Sequence, residues 1–329
     1  MSGLRLSSFR KRLDAFSREL SGVEEDDVES LHRMRVASRR LRELVPLLGL
    51  DRDTTRTLVR RLRKVTRALG SVRDLDILRV MIRELQGVRG CSPAALKQVS
   101  DAVADARAAA RERMTARLPI KKLARIAHRL RRAVSHVESD RAESRDERAR
   151  GLSATWRSAL DARLARRAAR ARMAIEAAGV LYVPEHLHDV RIALKKLRYT
   201  AEFSREVRPR ESAAGLATLR AAQDQLGRLH DREMLVDWLR RSQTAQSTSE
   251  HRRHAKPLSD RAGRPSGPLT ARDANAWREI DALVRVLGDR CRRVHAQYVR
   301  ERAALLVVCD RCGARRGVRG RKAGAEARA

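Results

Sequence analysis

His32-Arg33-Met34-Arg35-Val36-Ala37-Ser38-Arg39-Arg40-Leu41-Arg42 is written twice in this chain, the second time as His188-Asp189-Val190-Arg191-Ile192-Ala193-Leu194-Lys195-Lys196-Leu197-Arg198. On a helix, at about 100° per residue, His32, Arg35, Arg39 and Arg42 share an arc of roughly 80° and form a basic stripe. Leu31, Met34, Ser38, Leu41 and Val45 repeat at the same spacing one position earlier, so a mostly apolar stripe lies beside the basic one. In the second copy His188, Arg191, Lys195 and Arg198 are basic, and Leu187, Val190, Leu194 and Leu197 are apolar. One edge of each helix is built to pack, and the adjoining edge presents cations.

Working outward, a second matched pair follows each stripe. Leu62-Arg63 runs through Leu69-Gly70 to Arg73-Asp74-Leu75-Asp76, and Leu219-Arg220 runs through Leu226-Gly227 to His230-Asp231. His32 to His188 and Gly70 to Gly227 keep register to within one residue, the mark of an internal duplication. Gly70 reads either as a helix kink or as a close approach of two backbones, and Arg73-Asp74 reads as a structural ion pair. Arg63 and Arg220, one helix away from the stripes, extend the same surface.

The pattern His-x-x-Arg-x-x-x-basic-basic-Leu-Arg, repeated and followed by Leu-Gly-x-x-x-Asp, resembles the CHAD domain, the conserved histidine α-helical domain, from about Ser7 to about Leu306. The segment from Gly179 through His188 to Tyr199 matches best. The resemblance implies an all-α fold of two sequence-related, four-helix-bundle-like halves packed with pseudo-twofold symmetry. It also implies association with inorganic polyphosphate and its granules. The basic motif residues carried over are His32, Arg35, Arg39, Arg40, Arg42 and Arg63, then His188, Arg191, Lys195, Lys196, Arg198 and Arg220. Departures exist: Asp189 stands where the first copy has Arg33, and Ala221 and Asp224 stand where it has Lys64 and Arg67. Weaker binding along the second helix of the second half is therefore expected.

Composition agrees with an all-α chain. Of the 329 residues 42% are hydrophobic and only 3% aromatic, and Ala, Leu, Arg and Glu dominate. Lys and Arg number 74 against 41 Asp and Glu, a formal charge of +33. That surplus repels itself in a compact state unless an anion relieves it. Part of it is compositional bias, which accounts for the abundance of Arg but not for its striping. No run of 18 apolar residues exists and Met1-Ser2-Gly3-Leu4-Arg5 has no apolar h-region, so neither a membrane span nor a secretory signal is expected. Four cysteines, at 91, 291, 309 and 312, suggest no disulfide framework and fit a reducing, cytoplasmic setting.

In chain order, a first helix is expected over 5–20, with the acidic run Glu24-Glu25-Asp26-Asp27 placed before the next, where the helix dipole favours it. The His32 helix should end near Pro46. Helices follow over 54–86, over two stretches between Pro93 and Ala149, and over an Ala/Arg-rich bridge from Leu152 to Ala178. The halves divide as 5–149 and 150–308. Residues 242–275 read as a flexible insertion, and 309–329 as a basic disordered tail. A last helix from Ala276 to Val307 should bury Trp277, Ile280, Leu283, Val284, Leu287, Cys291, Val294 and Tyr298.

Arg suits a phosphate site because its planar fork engages two oxygens at once, while Lys acts as a point charge. Ten residues of stripe extend about 15 Å, room for several phosphates in a row. Packed about a pseudo-twofold axis, the stripes would face a shared groove or channel. His32 and His188 have three readings: metal ligand, phosphate donor, or a capping and packing group. The metal reading lacks a partner at i+4, and the stripes carry no acids. Neighbouring Arg should depress the histidines, so phosphate affinity should rise at lower pH. Cys309-x-x-Cys312 is half of a zinc ribbon with no second pair, and reads as tail thiols without a role.

Catalysis has little support, since no P-loop, nucleophile elbow or His-Glu-x-x-His occurs. The Glu-x-Glu-x-Lys of the triphosphatases often fused to CHAD domains is absent as well. The expectation is a non-enzymatic binder of inorganic polyphosphate without cofactor or metal. The alternatives are a sequence-nonspecific nucleic-acid binder and, further off, a metal-dependent phosphohydrolase. Few aromatics for base stacking and few Asn or Gln on the stripes argue against nucleic acid as the main partner, leaving it a weak contact.

Overall fold

The computed structural model describes residues 2–142, 146–208, 215–254 and 271–314, with side chains over 6–139, 156–208, 215–243 and 278–314. Every regular element among them is helical. The chain opens with α1 (Ser2–Arg18) and the short α2 (Leu20–Glu24). The acidic run then acts as a cap. The Asp27 carboxylate accepts from the backbone N–H of Ser30 at 2.8 Å and of Glu29 at 3.4 Å, and α3 runs from Val28 to Leu44. A 3-10 turn at Val45–Leu47, with Pro46 inside it, ends the helix where the sequence expected.

Asp51 caps α4 (Arg52–Glu84) through Thr54 and Asp53, and Ser92 caps α5 (Pro93–Arg117), whose first residue is a proline. Then come α6 (Ile120–Ala142) and α7 (Asp146–Ala178). Gly179, at φ +57°, turns the chain into α8 (Pro184–Val207), the second motif helix. The last two helices, α9 (Leu216–His254) and α10 (Ala271–Ala314), are the longest.

Both ends of the expected insertion are helical instead. Residues 242–254 continue α9 and 271–275 open α10; residues 255–270 lie outside the described residues. The expected disordered tail is corrected in the same way. α10 continues to Ala314, and Cys309 and Cys312 are 2% and 8% exposed, packed among Leu305, Val308 and Ile175. These thiols are core residues rather than tail thiols. A thiol behaves as a small hydrophobe when buried, which the CxxC spacing alone does not reveal. Residues 315–329 and the Trp277 side chain lie outside the described residues; Ile280, Leu283, Leu287, Cys291 and Tyr298 are buried as expected, and Val284 and Val294 only partly so.

Three cores result. The first gathers α1, α2, α3, α6, the first part of α4 and the end of α5, and takes in Phe203 and Val207 from α8. The second gathers α7, α8, the first part of α9 and the later part of α10. The third joins Leu78, Ile82 and Leu85 of α4 with the start of α5, Leu235 and Leu239 of α9, and Ile280, Leu283 and Leu287 of α10. The long helices α4 and α9 thus leave one core and end in another. Within this frame α3 meets α8 and α4 meets α9.

Candidate functional site

The apolar stripes lie where their spacing put them. Leu31, Met34, Ser38, Leu41 and Val45 are fully buried, as are Val190, Leu194 and Leu197. Ser38 fits its apolar row because its hydroxyl lies 2.9 Å from that of Thr66, which donates to the Leu62 carbonyl. With those edges fixed, the cations of α3 and α8 are held at the junction of the two helices.

Arg35, Arg39, Arg191 and Lys195 come within electrostatic reach of one another there. Two acids reach them from the second motif. Asp74 lies 3.4 Å from the Arg35 guanidinium, and Asp231 acts on Arg191 and Lys195. The expected Arg73–Asp74 pair is thereby corrected: Asp74 turns to the stripe. The stripes themselves carry no acid, as read; the two acids come from the neighbouring helices α4 and α9. At Gly70 the close neighbour is a side chain rather than a second backbone. A Cβ at Gly70 would stand 3.5 Å from the Arg35 Nε, an ordinary packing contact, so this face of α4 lies directly against the Arg35 side chain.

Burial dominates the electrostatics. Burial first and Arg39 next push the Arg35 guanidinium down to about 10. Lys195, only 8% exposed, is pushed down to about 6 by burial and then by Arg191, Arg39 and Arg35. Burial also lowers Arg191 and raises the Asp231 carboxyl. The Nε groups of Arg35 and Arg191 are buried without a hydrogen-bond partner, as is one Asp231 carboxylate oxygen. Buried N–H groups of that kind are costly unless something accepts from them.

The motif histidines flank this cluster. His188 Nδ1 lies 3.3 Å from His230 Nδ1, and burial followed by Arg191 and His188 holds His230 at about 3. His32 is lowered by burial first and Arg73 second, and its Nδ1 has no partner. Burial therefore precedes the Arg neighbours as the cause of their depression. Among the described residues no three of His, Cys, Asp and Glu gather in a way that could hold a metal ion.

The remaining candidate residues separate into two further groups. Arg42, Arg63 and Lys196 lie toward α7, where Arg163 and Arg167 donate to the buried Glu43 at 2.8 and 2.6 Å. Burial alone would raise the Glu43 carboxyl, but Arg167 and Arg163 hold it below its ordinary value. Arg40, Arg198 and Arg220 gather instead around Glu202. Arg198 and Arg220 donate to it at 3.2 and 3.3 Å, and Arg40 approaches to 3.8 Å. The Arg40 and Arg198 guanidinium groups also lie over the Tyr199 ring. Sequence reasoning missed Arg163, Arg167 and Arg170 of α7, although their spacing of four and three is itself a helical stripe. It also gave no role to His230 or Glu202.

A family model described as the CHAD domain matches residues 7–240. No curated protein sequence matches the chain. Among solved structures, the CHAD domain from the plant Ricinus communis aligns with a TM-score of 0.54 at 21% identity, covering 90% of this chain and 91% of that one. PptA from Streptomyces chartreusis aligns with a TM-score of 0.53 at 16% identity, covering 94% of this chain and 98% of that one. At these identities the likeness is one of fold. No helix among the described residues is long and apolar enough to cross a membrane.

Proposed function

The chain belongs to the CHAD domain family, and from that premise we propose that it binds inorganic polyphosphate, without catalysing its breakdown, along the duplicated cationic stripes of α3 and α8. One observation carries the reading. Arg35, Arg39, Arg191 and Lys195 are crowded together with Asp74 and Asp231 as the opposing acids among the described residues, and the Nε groups of Arg35 and Arg191 are left without acceptors. A chain of phosphates supplies what that cluster lacks: closely spaced negative charge and acceptor oxygens, with no base or side chain to accommodate. Arg42, Lys196 and the α7 arginines continue the positive surface, while Arg40, Arg198 and Arg220 share Glu202 and contribute less.

We also read the halves as related by a pseudo-twofold arrangement. Arg35 faces Asp74 as Arg191 faces Asp231, and His32 adjoins Arg73 as His188 adjoins His230. A phosphate chain running between the two stripes would meet both copies in one groove. The setting we propose is the cytoplasm, including the surface of polyphosphate granules.

The test is competition. Labelled long-chain polyphosphate bound at near-physiological salt is challenged with unlabelled polyphosphate and with duplex DNA at equal phosphate concentration. Polyphosphate should displace the label far better than DNA, and Ala at Arg35, Arg39, Arg191 and Lys195 together should abolish binding while helicity is retained. Equal displacement by DNA would reduce the stripes to a generic cationic surface. Asp74 and Asp231 give a second reading some footing, since acids beside a phosphate site can hold a divalent ion for hydrolysis. Incubating polyphosphate with the protein and Mg²⁺ and measuring released phosphate decides between the two; none is expected.

A further inference from the structure

A second concentration of positive charge lies away from the stripes. A cleft of about 680 Å³ opens between α4, α5 and α6. Arg60, Arg61, Lys64 and Arg67 line it from α4. Arg113 and Arg117 face them from α5, and α6 adds Lys122, Arg125 and Arg129. No carboxylate lines the cleft, and none of these cations forms an ion pair among the described residues. Burial, then Arg129 and Arg60, holds the Arg61 guanidinium below its ordinary value. The floor is apolar: Ala68, Met114, Leu118 and Ile126, the last three at 4–5% exposure.

This cleft is separate from the stripe site. On α4 the positions of Arg60, Lys64, Arg67 and Ser71 lie roughly 100° or more around the helix from Thr66, which faces α3. The duplication preserves the stripe but not the cleft. Where α4 has Arg60, Arg61, Lys64 and Arg67, the matching positions of α9 hold Ala217, Thr218, Ala221 and Asp224. A general surplus of arginine would have spared neither copy.

We propose that the α4–α5–α6 cleft binds a small organic phosphate of the nucleoside triphosphate class. Its nine cations more than offset the three or four charges of a triphosphate. Its floor is what distinguishes the ligand, because an inorganic phosphate chain makes no use of Met114, Leu118 and Ile126. A planar base does: guanidinium planes stack on it, and thioether and aliphatic groups pack against it. The volume falls in the range of small-molecule pockets, in which an apolar lining fixes the body of the ligand and a few polar groups its orientation.

Calorimetric titration of the full chain with adenosine triphosphate, and in parallel with inorganic tripolyphosphate of similar charge, tests this. Adenosine triphosphate should bind at least ~10-fold more tightly than tripolyphosphate. The exposed pair Lys64→Glu and Arg125→Glu should remove that advantage while polyphosphate binding and helicity persist. Arg35→Ala with Arg191→Ala should leave it within about twofold. Equal affinity for the two ligands in the native chain overturns the proposal, as does persistence of the advantage in the cleft variant or its loss in the stripe variant. Because the two variant pairs act on different faces, failure of polyphosphate binding at the stripes and failure of nucleotide binding here are read separately.

Discussion

Lys195 concentrates the chemistry of the stripes in one side chain. Burial, then Arg191, Arg39 and Arg35, against the opposing pull of Asp231, push its amine down to about 6 in the folded chain, from near 10.4 when unfolded. Between those values the unfolded chain holds the extra proton, so the contribution of Lys195 to stability rises with pH. Polyphosphate binding has the opposite sign. A polyanion favours the ammonium, so above pH 6 binding takes up a proton and weakens as pH climbs. His230, held at about 3, stays neutral throughout that window. From pH 6 to 8.5 the melting temperature of the wild type should therefore rise relative to Lys195→Met. Over the same range its affinity for long-chain polyphosphate should fall more steeply than that of Lys195→Arg, whose charge is fixed. Parallel affinity profiles for wild type and Lys195→Arg would remove Lys195 from the anion contact. The sequence placed Lys195 on the cationic edge, but its burial depends on how α3 docks against α8, which periodicity within one helix does not encode.

At the level of the helix, the two motif glycines look equivalent in sequence and are not equivalent in the fold. Gly70 of α4 adjoins the Arg35 guanidinium, whereas a Cβ on Gly227 of α9 would meet nothing within 4 Å. Replacing glycine by alanine inside a helix gains about 0.5–1 kcal/mol from backbone entropy where space allows. Gly227→Ala should thus raise the urea midpoint, with polyphosphate binding unchanged. Gly70→Leu, by contrast, would displace Arg35 and should weaken that binding several-fold, while Gly227→Leu should not; matched losses in the two would dissociate Gly70 from the site. The helices themselves were legible because caps and apolar periodicity are local: Asp27, Pro46 and the Leu31 row all behave as their positions dictate. What the chain order concealed were partners from distant helices, such as Asp74 for Arg35 and Arg163 for Glu43. The helical run over 242–254 was concealed as well, because a polar composition reads as loop when nothing local reveals that α9 continues.

For the molecule as a whole, the governing tension is between a formal charge of +33 and the shared cores that hold that charge together. The third core is the larger joint, since α4 and α5 from the first sequence repeat bury Leu78, Ile82, Leu96 and Val103 against α9 and α10 from the second, and Phe203 and Val207 of α8 add a smaller one within the first core. Apolar periodicity announces that those residues are buried without naming what they meet, so this joint could not be read from the repeat. Neither half can expose that joint without losing apolar burial worth about 25 cal/mol per Å². Thermal unfolding should therefore be a single cooperative transition, with calorimetric and van't Hoff enthalpies in agreement. Two resolved transitions, one removed by truncation after residue 149, would mean that the third core is not what couples the halves. Charge then sets where that transition falls. If polyphosphate engages the folded stripes as proposed, it should add about 2.7 kcal/mol through mass action at 100 times its Kd. That increment should shrink as salt rises, because each phosphate contact releases counterions whose return is favoured at high ionic strength. The cooperativity should survive the same salt, since apolar burial is not screened. A transition that splits as salt rises would instead make bound anion, rather than the third core, the element joining the two repeats.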